Sequence, residues 1–133
     1  MTQSLARALA AADAAAAVET MAEDVTLHVA VHPEPFQGRP ATAHFLGAVL
    51  DGPLYDIEIG ETIEGQDSAL LMFSSQVAGY DGRAEGLLVA RTEVDGDGRI
   101  SELTVFLRPL AGLAALAKEM GRRLGGPRPD GLA

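Results

Sequence analysis

The chain has 133 residues, 47% of them apolar, with ten Lys and Arg against nineteen Asp and Glu and a formal net charge of −9. That length is one domain with material for a core, no apolar run nears the roughly 20 residues that span a bilayer, and the acidic balance argues against a nucleic-acid partner, whose phosphates need clustered Lys and Arg. The absence of cysteine excludes disulfides, thiolate catalysis and Cys-type zinc sites.

The N-terminal stretch, rich in alanine, is expected to be helical over residues 3–22, with Asp13 capping a second short helix, Ala14 to Ala22. Arg7 and Asp13 interrupt its apolar character, so it lacks a signal-peptide layout and a cytoplasmic location is expected. "EDVTLHVAV" alternates, with Val25, Leu27, Val29 and Val31 on one face and Thr26, His28, Ala30 and His32 on the other, the pattern of a half-buried strand. "HPEPFQGRP" is a loop in which Phe36 plugs the core edge, Gly38 permits a tight turn and Pro40 opens a helix carrying Phe45, Leu46, Val49 and Leu50.

Four strands follow at Tyr55 to Ile63, Ser68 to Gly79, Arg83 to Val94 and Arg99 to Leu107, separated by "EGQD", "DG" and "DGDG". A final amphipathic helix bears Leu110, Leu113, Leu116, Met120 and Leu124. It can cap the fold, pack on a partner or lie on the back of the sheet. The domain is expected to span 1–124, with a flexible tail over 125–133.

The turns give a register. A two-residue Asp81-Gly82 turn sets Tyr80 opposite Arg83, Val77 opposite Gly86 and Phe73 opposite Ala90. A four-residue "DGDG" turn sets Val94 opposite Arg99, Arg91 opposite Glu102, Leu88 opposite Val105 and Glu85 opposite Arg108. One face then collects Leu71, Phe73, Ser75, Val77, Gly86, Leu88, Ala90, Thr92, Leu103, Val105 and Leu107, with no ionisable group. The other collects Met72, Gln76, Tyr80, Glu85, Leu87, Val89, Arg91, Glu102, Thr104, Phe106 and Arg108, with Glu85–Arg108 and Arg91–Glu102 as opposite-charge pairs. The first is the core side; the second, apolar and arginine-bearing, is expected to be a homodimer face, or else a solvated surface. In the strand 55–63, burial of Ile57, Ile59 and Ile63 turns them and Tyr55 inward and Asp56 and Glu58 outward, whereas a four-residue "EGQD" loop predicts the reverse.

The order helix, helix, strand, "FQGRPA" loop, helix and four antiparallel strands resembles the nuclear transport factor 2-like superfamily, including SnoaL-like domains. The carrying stretches are "ALAAADAAAAVETMAEDVTLH", "PFQGRPATAHFLGAVL" and "VDGDGRISELTVFLRPL", and the resemblance covers roughly residues 3 to 110. It implies an α+β fold, a curved, mostly antiparallel sheet wrapped around N-terminal helices as a cone-shaped, cystatin-like roll, here with a C-terminal helix. Ketosteroid isomerases, limonene epoxide hydrolases, polyketide cyclases and non-catalytic transport factors share that fold. The catalytic members place carboxylates, or His with Asp, inside the cone. Matching the "DGRI" turn puts Leu88 at the cyclase carboxylate's position, and Arg91 and Arg108 face away from the interior.

The primary expectation is a mainly apolar pocket for a small hydrophobic molecule, lined by Phe45, Val49, Tyr55, Phe73, Ser75, Leu88, Ala90, Leu103 and Val105, with no complete catalytic set and no cofactor. An isomerase, cyclase or epoxide-hydrolase-like enzyme is the alternative, with His28, Asp56 or Glu58 as base. A pocketless dimerisation module is the third. A metal site is not expected: His28 and His32 sit about 13–14 Å apart on a regular strand, and His44 lies on a helix face with Gly47 and Ala48.

Overall fold

The computed structural model describes residues 2–93 and 96–125. Its elements run α1 (Thr2–Ala10), α2 (Ala14–Glu19), β1 (Met21–His28), β2 (Phe36–Gln37), α3 (Gly38–Val49), β3 (Leu54–Glu64), β4 (Ser68–Val77), β5 (Arg83–Thr92), β6 (Ile100–Arg108) and α4 (Leu110–Gly125). The Asp13 carboxylate accepts from Ala16 N at 3.0 Å and starts α2. Gly38, at φ +86°, admits the turn into α3. Beside it Arg39 Nε donates to the Met21 carbonyl at 3.0 Å, tying the head of α3 to the start of β1. The tail from 126 onward and the Val94 end of the expected Val94–Arg99 pair lie outside the described residues.

One six-stranded sheet has the order β2-β1-β6-β5-β4-β3. All its pairings are antiparallel except β1 with β6. This is the α+β class expected, with the helices on one face of the sheet. The β5–β6 register is as the "DGDG" turn predicts from Glu85–Arg108 to Arg91–Glu102, after which Thr92 pairs with Ile100 across an irregularity.

The β4–β5 register differs. Phe73 lies opposite Gly86, not Ala90, and Leu71 opposite Leu88. Strand β4 ends at Val77, so the connection is longer than two residues and pairing begins at Gln76–Arg83. The slip is four positions, an even number, so every side chain stays on its expected face. Tyr80 is the exception. It has left the strand and packs against the core and Gly112 of α4.

Strand β3 resolves the conflict between its loop and its isoleucines. Ile63 pairs with Leu70 at the loop end, which puts it on the outer face, where it is 51% exposed. An irregularity between Ile59 and Thr62 reverses the phase, and Ile57 and Ile59 pack on the core. A second, between Tyr55 and Glu58, reverses it again, so Tyr55 pairs with Gln76 on the outer face and is 49% exposed. The expected inward facing of Tyr55 and Ile63 is thus corrected by two β-bulges, each of which inserts one residue and flips the alternation. Asp56, at φ +54°, sits in the second.

The core lies between the inner sheet face and α1–α3, with Leu5, Leu27, Leu71, Val77, Ile100 and Leu103 almost fully buried. Helix α4 folds back onto the same face. Leu116 and Met120 are buried, and Gly112 approaches the Ala84 Cβ. Of the three placements open to this helix, it takes the cap over the inner face.

Candidate functional site

Under α4, the inner sheet face and α3 enclose a hollow of about 70 Å³. Phe45, Val49, Phe73, Leu88 and Val105 line it, all from the expected set, together with Leu116 from α4. No lining side chain carries a polar atom, and the exposed wall is wholly apolar. The period of each element explains this. Phe45 and Val49 are one turn apart on α3, and Phe73, Leu88 and Val105 occupy the same side of three neighbouring strands. Such a cavity stays dry, because a water inside would find none of the two to four polar partners it needs.

Four of the expected pocket residues lie elsewhere. Ala90 and Leu103 are buried in the core but do not reach the hollow. Tyr55 is on the opposite face. Ser75 is fully buried, and its Oγ sits 3.1 Å from the Tyr55 carbonyl and 2.8 Å from that of Gln76. The hydroxyl thereby satisfies backbone at the bulge and is not offered to the hollow. The expected set lacked Leu54 and Leu116, and it lacked Ile57 although that residue was expected to face inward. The leucine stripe of 110–124 signals Leu116, but only its fold-back brings it here.

The three candidate bases also lie outside the hollow. His28 shares the outer face with Glu102 and Thr104 through the parallel β1–β6 register, and its Nε2 is 2.9 Å from Glu102 Oε2. Glu102 therefore bonds His28 and not Arg91, its register partner, which corrects the expected Arg91–Glu102 ion pair. Asp56 accepts from Arg83 Nη1 at 3.0 Å, and its own carbonyl accepts from Arg83 Nη2 at 2.6 Å. Glu58 pairs with Ser74 on the outer face. Of the other histidines, His44 is exposed on α3 and His32 lies in the turn after β1. Among the described residues no three of His, Asp and Glu come together in a metal-binding group.

The outer face carries a shallow trough of about 630 Å³ across β3–β6. Met72, Leu87, Phe106, Glu85 and Arg108 stand along it, with the backbone of Gly60 between them. Met72 and Phe106 are 48% and 54% exposed. Arg108 forms an ion pair with Glu85, its register partner. Of the remaining expected interface residues, Gln76 and Val89 are half-buried on this face and Arg91 is exposed.

Comparison with known proteins agrees with this architecture. A steroid delta-isomerase from Pseudomonas aeruginosa superposes with a TM-score of 0.78 at 28% identity, covering 89% of this chain and 84% of that one. An uncharacterised bacterial protein with a cystatin-like fold from Silicibacter pomeroyi gives 0.82 at 21% identity, over 92% and 83% of the two chains. An NTF-2 like protein of unknown function from Burkholderia xenovorans gives 0.67 at 16% identity, over 80% and 78%. No curated protein matches the sequence. The family model of the SnoaL-like domain matches residues 2–103. With that match over most of its length, and with the sheet and helices described above, the chain belongs to the SnoaL-like domain family of the nuclear transport factor 2-like superfamily.

Proposed function

We propose that this domain binds a small hydrophobic molecule in the inner hollow and performs no proton transfer there. One observation carries the reading: every side chain lining the hollow is apolar. Burial of apolar ligand surface supplies the driving force, at about 25 cal/mol per Å². Proton-transfer chemistry of the isomerase or cyclase kind needs an ionisable group within reach of the bound molecule. None of His28, Asp56 and Glu58 lines the hollow. The present volume is below half of the roughly 150 Å³ in which an apolar cavity takes benzene. A bound molecule therefore needs more room than the hollow now holds, from a shift of its wall or from space beyond it. Thermal denaturation in the presence of toluene, indole and butylbenzene tests the reading. A ligand that binds only the folded state raises Tm with concentration. A flat response to all three sinks it.

For the outer face we propose self-association. Tyr55, Ile63, Met72 and Phe106 are each about half exposed there, and the flanking ion pairs Asp56–Arg83 and Glu85–Arg108 form a polar rim. No helix among the described residues is long and apolar enough to cross a membrane. A cytoplasmic homodimer is the form in which we expect the domain to act.

A further inference from the structure

We infer that the ligand is an apolar molecule ending in a hydroxyl, with its hydrocarbon part in the inner hollow and the hydroxyl at His32 in an adjoining groove. This rests on the binding role proposed above and adds the ligand's shape and its one polar group.

The hollow alone, at about 70 Å³, is too small for a whole ligand, so an occupant anchored in it extends beyond it. A groove of about 200 Å³ adjoins it between α4 and the turn after β1. The two share Val31 and Phe45 as walls, so these side chains are the partition between them. On α4 the groove is bounded by Met120 and Leu124 and by Ala117 and Gly121, the last two one turn apart and adding little bulk. Phe36 closes its floor, with its ring centroid 5.1 Å from that of Phe45.

His32 carries the only strong hydrogen-bonding side chain in this lining. Its Nδ1 is held by Glu34, 3.1 Å from the backbone N and 3.0 Å from the carbonyl oxygen. Its Nε2 has no partner among the described residues. Glu34 N–H donating to Nδ1 leaves Nε2 as a donor; Nδ1–H donating to the Glu34 carbonyl leaves Nε2 as an acceptor. A carbonyl ligand group meets only the first case, whereas a hydroxyl both donates and accepts and meets either. A carboxylate is disfavoured by the chain's net charge of −9.

The test uses two probes with the same carbon skeleton, butylbenzene and 4-phenylbutan-1-ol. Their dissociation constants are measured by ligand-observed NMR on the full chain and on His32→Phe, which keeps an aromatic ring and removes the nitrogens. The expected result is a loss of about three- to tenfold for the alcohol, the worth of one neutral hydrogen bond, with butylbenzene unchanged or tighter. Ala117→Phe fills the groove from the helix side and is expected to weaken the alcohol by at least as much, which keeps the test open if His32→Phe does not fold. Should both probes bind the wild-type chain and neither substitution change the alcohol's affinity, the hydroxyl subsite is refuted and the hollow's role survives. If neither probe binds the wild-type chain, both fall.

Discussion

Gly86 sits opposite Phe73 in the β4–β5 ladder, and a Cβ placed on it would overlap the Phe73 ring. The aromatic ring thus uses the space that a side chain would take. Gly86→Ala is expected to cost about 1–3 kcal/mol through overpacking, read as a lower urea midpoint at unchanged m-value. Thr42 is the opposite case. It is fully buried on α3, and its hydroxyl has no hydrogen-bond partner. The near-isosteric Thr42→Val removes an unsatisfied polar atom, so it should be neutral or stabilising by up to about 1–2 kcal/mol, visible as a rise in Tm. At Ser75 the one hydroxyl proton is shared between the Gln76 carbonyl at 2.8 Å and the Tyr55 carbonyl at 3.1 Å. Ser75→Ala is expected to lose about 1–3 kcal/mol by chemical denaturation, with no loss of binding in the hollow, which Ser75 does not line. Sequence placed Ser75 on the correct face, since alternation fixes faces. It did not say which carbonyls the hydroxyl meets, because one of them, that of Tyr55, belongs to a bulge with no sequence signature.

At the level of elements, parity decided which expectations held. A turn counted wrongly by an even number of residues moves every pair along the ladder yet keeps inside residues inside, as between β4 and β5. The inner wall from Phe73 to Val105 was therefore legible although the β4–β5 register was not. In β3 two single-residue insertions put the middle out of phase with both ends. The loop count was right for Ile63 and the burial argument right for Ile57 and Ile59, and neither alone described the whole strand. The positive φ at Asp56 belongs to this device. Asn tolerates that conformation while β-branched residues do not, so Asp56→Val should destabilise clearly more than Asp56→Asn in urea melts. The placement of α4 was open in sequence because an amphipathic stripe states that a face is buried without stating against what. Its last turns are tied down by Arg123, which reaches Asp51 at 3.1 Å and Glu119 at 3.4 Å. Both links lie near solvent, so Arg123→Ala should change global stability by less than about 1 kcal/mol. It should nonetheless speed amide exchange in the end of α4, which borders the groove beside the hollow.

For the molecule as a whole, the proposed self-association rests on the outer face. Phe106 is more than half exposed in the middle of that face, and Phe106→Lys places a charge where a two-fold contact would bury it. Sedimentation equilibrium should show the wild type as a dimer and this variant as a monomer; a wild-type monomer at tens of micromolar would rule out self-association. The parallel contact of β1 with β6 bears on a different property. Leu27 rests beside Leu103, a partner that leaves the ribosome roughly 75 residues later, several seconds at the usual pace of synthesis. Through that interval β1 has only the two-residue β2 beside it and is not joined to β3–β5. The β1–β2 piece thus waits for the last strand to link it to the rest of the sheet, and slowing translation in the stretch before Ile100 should lower the yield of folded product.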